Sequence, residues 1–126
     1  MKSDAVLAKN VGADAIIVSN HGGRQLDGAP STIAALPSII QAVGNNVEVW
    51  LDSGIRSGQD VIKALALGAK GTLIGRSYIY GLGALGEAGV TKSLEIIANE
   101  LDLTMAFCGL RDVQQVDSNI LLNGSY

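Results

Sequence analysis

A short apolar run that ends in a polar, glycine-bearing loop and then gives way to a helical pattern recurs along this chain. That alternation restricts the fold more than any other feature. Ala15-Ile16-Ile17-Val18 runs into Ser19-Asn20-His21-Gly22-Gly23-Arg24. Val47 to Leu51 runs into Asp52-Ser53-Gly54-Ile55-Arg56-Ser57-Gly58, and Gly71 to Ile74 into Gly75-Arg76. Apolar runs this short read as strands, and a continuous one such as residues 15–18 as a strand buried on both faces.

Helical periodicity fills the intervals. A leading helix carries Ala5, Val6, Leu7 and Val11, with Asp4 as its N-cap and Gly12 as its stop. The second has Ile33, Leu36, Ile39, Ile40 and Val43 at helical spacing, capped by Ser31 or Thr32 and closed by Gly44; Pro37 is expected to start or kink it. The third spans Asp60 to Leu67 and stops at Gly68. After a glycine-rich stretch, Leu94, Ile97, Ala98, Leu101 and Met105 mark one face of a long amphipathic helix, with a polar tail and a short helix before Asn119. Strands alternating with helices at these spacings require parallel pairing and right-handed crossovers, hence an α/β fold. Such folds carry their sites at the C-terminal ends of the strands, where the polar loops fall here. The chain opens on a helix rather than a strand, which reads as a partial chain.

Composition narrows the function classes. Net charge is −3 and aromatic residues make up 4%, so the chain has neither the basic surface nor the stacking platforms of a nucleic-acid binder. Cys108 is the only cysteine, which excludes an internal disulfide and a cysteine metal site. It is expected to be a small core residue and Trp50 to pack in the core or against a helix, while Tyr78 and Tyr80 are expected to pack beside the glycine-rich stretch. No apolar run approaches the ~20 residues of a spanning helix and no signal peptide is visible, so a cytoplasmic protein is expected, with peripheral membrane contact left open.

Three loops carry the chemistry. His21 is the only histidine and stands beside Gly22-Gly23, which lets backbone approach a ligand, and Arg24, a planar fork suited to a carboxylate. A base beside a carboxylate clamp suits proton abstraction next to a bound acid, though a surface-loop histidine is an equal reading of the residues alone. The loop from Asp52 to Gly58 leads into a helix. Backbone amides near Gly54, the helix N-terminus and Arg56 suit an anion, and Asp52 suits a hydroxyl donor. Gly75-Arg76 gains weight from position, because barrels of about eight β/α units often hold a phosphate on their last two strand-end loops.

On these residues the chain resembles the FMN-dependent 2-hydroxy-acid oxidase and dehydrogenase family, which includes glycolate oxidase, flavin-type lactate dehydrogenases and mandelate dehydrogenase. The matching segments are VSNHGGRQLD (Val18 to Asp27), LDSGIRSGQDVIKALALGAKGTLIGR (Leu51 to Arg76) and GEAGV (Gly86 to Val90). The resemblance implies the C-terminal β/α units, about three, of a TIM (β/α)8 barrel, with residues 1–126 forming a partial barrel domain whose N-terminal half is missing. It implies FMN as cofactor and oxidation of a small (S)-2-hydroxy acid to a 2-oxo acid. His21 would be the base at the substrate's α-position, for the carbon-bound or the hydroxyl proton, and Arg24 would bind the substrate carboxylate. Ser19 would contact FMN; Asp52, Ser53, Gly54, Ile55 and Arg56 would wrap its ribityl chain and phosphate, and Gly75 and Arg76 would complete the phosphate grip. Ser53 stands where the family often has glycine. The resemblance places the active-site tyrosines, the aspartate that orients the histidine and a lysine near the flavin in the missing half. It implies that the chain works with an N-terminal barrel half or by self-association, as a homo-oligomer. The competing reading is a non-catalytic flavin- or phosphate-binding half-barrel remnant.

Overall fold

A computed structural model describes residues 2–122; residues 123–126, the end of the polar tail, lie outside them. Strands β1 (Ala15–Val18), β2 (Glu48–Leu51) and β3 (Gly71–Thr72) form one parallel sheet in the order β1-β2-β3. They alternate with helices α1 (Lys2–Asn10), α2 (Thr32–Val43), α3 (Gly58–Ala66) and α4 (Arg76–Phe107). The α/β alternation and parallel pairing expected from the apolar runs are therefore present, with β3 shorter than the expected Gly71 to Ile74.

The sheet is covered on one face. Val18, Val49 and Leu51 point into a core with Leu36, Ile39 and Val43 of α2 and Ala64 of α3, and Leu36, Val43 and Leu51 are fully buried. The other face carries Ile17, paired with Trp50, which in turn is paired with Gly71. Ile17 is 58% exposed. The expectation that β1 is buried on both faces thus fails, because no layer of the described residues covers this side of the sheet. Trp50 is likewise no core residue. Its ring lies flat over Gly71, where a methyl group would come within 2.5 Å of the indole, and its N–H donates to Glu48.

Local chemistry explains most element ends. α3 opens with a reciprocal capping box: the Ser57 hydroxyl accepts from the Asp60 N–H while the Asp60 carboxylate accepts from the Ser57 N–H. α2 begins at Thr32 and continues through Pro37, so the proline does not set the start. Ser31 sits at its N-cap without a side-chain bond. The hydroxyl of the buried Thr32 goes instead to the Ser53 carbonyl at 3.0 Å. At the other end Lys9 of α1 donates to the Val43 carbonyl, satisfying one of the last acceptors of α2.

The glycine-rich stretch between residues 81 and 89 is helical rather than a loop. Non-helical dihedrals at Leu85 (φ −140°) and Gly86 (φ 60°) divide α4 into two arms that fold back on each other. Gly81 and Gly89 lie where the arms cross. A Cβ on Gly81 would stand 2.3 Å from the Gly89 carbonyl oxygen, so these glycines permit backbone contact instead of making turns. Of the expected apolar face on the second arm, Met105 is buried, Ile97 and Leu101 are half-buried, and Leu94 and Ala98 are exposed. Cys108 caps the helix and is exposed, contrary to a core position, because α4 ends beyond the layer that covers it. Tyr78 and Tyr80 are 36% and 70% exposed. The tail carries two 3-10 turns, Val113–Gln115 and Ser118–Ile120.

Candidate active site

The parallel register that pairs Val18 with Leu51 also brings the loops after β1 and β2 side by side. A cleft of about 420 Å³ opens between them and the start of α4, within the range of small-molecule sites. Its walls carry His21, Arg24, Asp52, Arg56 and Arg76.

The first loop is held in an uncommon backbone conformation. His21, Gly22 and Gly23 all have positive φ, at 55°, 67° and 73°. A left-handed stretch of this kind needs glycine at most positions, and His21 adopts it at a steric cost. Asn20 supports the turn: its side-chain carbonyl accepts from the Gly23 N–H and its amide donates to the Pro30 carbonyl. Asn20 was not among the residues singled out from sequence, although asparagine before a glycine pair is a recognisable turn signal.

The second loop contacts the first. The Ser19 hydroxyl donates to Asp52 at 2.5 Å, and the Ser53 hydroxyl donates to the same carboxylate oxygen at 3.1 Å. Arg76 closes the group from the third loop, its guanidinium donating to the Gly22 carbonyl at 2.9 Å. Thus Ser19, His21, Arg24, Asp52, Ser53, Gly54, Arg56, Gly75 and Arg76 come together at one end of the sheet. Ile55 also borders the cleft, yet its side chain is buried in the core, so it can offer a ligand little beyond backbone.

The anion-binding element differs from the one expected. The N-terminus of α3 is closed: the Asp60 carboxylate takes the Arg56 and Ser57 amides, and Glu100 of α4 takes the Gly58 amide at 2.9 Å. Amides already bonded to carboxylates make a poor anion cradle. The start of α4 is different, because its N-cap is Gly75, which brings no capping side chain. Its first-turn amides lack helical partners by geometry and adjoin the cleft at Gly75, Arg76 and Ser77. With Arg56 and Arg76 beside them, they form a donor set that fits a phosphate monoester.

The family described as FMN-dependent dehydrogenase matches residues 1–123. The chain belongs to that family. The FMN-dependent dehydrogenases are flavin enzymes, and the donor set at the start of α4 fits the phosphate of their cofactor. An L-lactate dehydrogenase of Caulobacter vibrioides is 54% identical over 118 residues, which is 94% of this chain and 31% of that protein. 2-Hydroxyacid oxidase 1 of Mus musculus is 52% identical over 94% of this chain and 32% of its own length. The chain therefore spans about a third of the length of the curated relatives it matches. Among solved structures, an oxidized active mutant of (S)-mandelate dehydrogenase superposes with TM-score 0.92 at 43% identity, over 97% of this chain and 34% of that one. A mandelate oxidase mutant with a monooxide FMN adduct gives 0.85 at 48% identity, over 90% and 36%. A further mandelate dehydrogenase is described as a monotopic membrane protein. No helix of the described residues is long and apolar enough to cross a membrane, and they hold no cluster of metal-ligating side chains.

Proposed function

We propose that this chain supplies the catalytic loop and the cofactor-phosphate loops of an enzyme oxidising a small (S)-2-hydroxy acid to a 2-oxo acid, and that it corresponds to the C-terminal β/α units of a (β/α)8 barrel. The observation that carries the reading is the meeting of His21, Arg24, Arg56 and Arg76 around one cleft at the C-terminal ends of consecutive parallel strands. Active sites of such barrels lie at that face, with phosphate often on the last two loops.

In this reading the first-turn amides of α4 and the guanidinium groups of Arg56 and Arg76 hold the FMN phosphate. Bound FMN supplies the acceptor for the two electrons that leave the substrate's α-carbon. Arg24 pairs with the substrate carboxylate through two parallel N–H bonds and so aims the α-carbon. His21 takes one of the two protons the substrate loses as its alcohol becomes a ketone. The domain assignment follows: residues 1–126 are part of a barrel whose remaining units cover the exposed face of Ile17 and Trp50. A homo-oligomer that completes itself in this way is one form of that assembly.

Binding and chemistry are tested separately. The chain should bind FMN more tightly than riboflavin, and Arg76→Ala should narrow the gap, each charge-assisted bond contributing about 1.5–3 kcal/mol. Equal affinities in a fluorescence titration would remove the phosphate assignment. In a barrel completed with an N-terminal half from a relative, His21→Ala should slow flavin reduction by about 10²–10⁴-fold while FMN stays bound. A variant that bleaches its flavin as fast as the parent would remove the catalytic assignment of His21 and leave the loop merely structural.

A further inference from the structure

We infer that Ser53, Ser19 and Asp52 form a clamp that fixes the conformation of the His21 loop, with Ser53 as its principal positioning residue. The inference rests on the reading of His21 as catalytic only for its consequence in turnover; the clamp itself is geometric. Three consecutive amides of the loop are gripped by two hydroxyls. The Ser53 hydroxyl accepts from the Asn20 N–H at 3.3 Å and from the Gly22 N–H at 3.0 Å. The Ser19 hydroxyl accepts from the His21 N–H, between them, at 3.1 Å. Each hydroxyl has a single hydrogen to give; the same Asp52 oxygen is an acceptor for both, and the two hydroxyls stand 3.3 Å apart, where either could donate to the other. Asp52 and this contact hold both serines beside the loop.

The backbone of Ser53 supplies a second, independent observation. Ser53 has φ 78°, one of two positive values among the described non-glycine residues, the other being His21 itself. Glycine would adopt that conformation without strain. A serine here sacrifices backbone comfort for its hydroxyl, and Thr32 fixes the Ser53 carbonyl from α2. The Ser53 hydroxyl thus bonds the amides on either side of His21, and the Ser19 hydroxyl bonds that of His21 itself.

Glycine and alanine substitutions separate the two effects. Amide hydrogen exchange, resolved to single residues, would be measured on the full chain together with the urea midpoint. Ser53→Gly relieves the backbone and removes the hydroxyl. It should leave the midpoint equal to or above the parent's while Asn20 and Gly22 exchange about 3–10-fold faster relative to the amides of β2. Ser53→Ala keeps the strain and loses the bonds, so the same amides should speed up and the midpoint should fall. If the alanine variant does not fold, the glycine variant alone decides. Unchanged exchange at Asn20 and Gly22 in Ser53→Gly would overturn the clamp, as would a rise that merely follows the β2 amides. A normal rate of flavin reduction in His21→Ala would overturn the catalytic reading of the loop and leave this result untouched.

Discussion

In the proposed reaction two residues at the cleft act at different moments, and their substitutions should differ accordingly. Arg24 holds the carboxylate from encounter to product in the proposed reaction, whereas His21 contributes only as the proton moves. In the completed barrel Arg24→Ala should raise KM and slow turnover together, because its bond exists in ground and transition states alike. Loss of the two charge-assisted bonds would cost about 1.5–3 kcal/mol each in kcat/KM. His21→Ala should lower kcat with little change in KM. Steady-state kinetics with a 2-hydroxy acid checks the split, and a pure KM effect at His21 would contradict its role as a base. From the residues alone a surface-loop histidine was an equal reading of His21, and it was the resemblance to the flavin family that gave both residues their proposed roles. Asn20 and Ser53 were legible only as members of a motif, since their positioning roles depend on partners up to 33 residues away.

At the scale of elements, the position of the phosphate cradle is set by backbone contacts between helices. Gly58 at the start of α3 would place a Cβ 2.0 Å from the Leu101 amide nitrogen of α4. Gly58→Ala should therefore destabilise the chain by about 1–3 kcal/mol or more, because a backbone neighbour cannot swing aside as a side chain can. Urea denaturation measures it, and a change below ~0.5 kcal/mol would show that α3 and α4 slide easily. The crossing of the two α4 arms acts on ligand binding instead. The Ser93 hydroxyl hydrogen-bonds both the Gly89 carbonyl and the Ser77 carbonyl in the first turn, so the crossing holds the very turn that carries the cradle. Gly89→Ala would force the arms apart and should weaken FMN more than riboflavin in a titration. The sequence displays those glycines as an apparent loop, because a glycine needed for close packing and one needed for a turn look the same in one dimension.

The whole molecule is a parallel sheet dressed on a single side. Ile17 and Trp50 remain open on one face, and β1 and β3 are edges of the sheet among the described residues. α4 adds Tyr80 at 70%, Leu85 at 69% and Phe107 at 90% exposure. Surfaces and edges of this kind favour association. Residues 1–126, purified alone, should sediment as a concentration-dependent oligomer, and adding the other units of the proposed barrel should convert them to a defined complex that retains FMN. A stable monomer with a cooperative melt would argue that the open face is not an assembly surface.

By itself the sequence determined the order of elements, the parallel α/β class and the polar loops that border the cleft. These follow from short-range rules: apolar period, capping residues, and the polar residues that must end a strand. Tertiary structure decided which groups those loops leave free. Glu100 reaches the Gly58 amide across 42 residues and closes the α3 terminus, and Arg76 reaches Gly22 across 54. Both contacts depend on how the helices pack and on the β1–β2 register, which aligns Val18 with Leu51 and so sets Ser19 beside Asp52. Register and packing are properties of the folded sheet. No local pattern encodes them, because a one-residue slip would keep every apolar run intact and turn the clamp away from its loop.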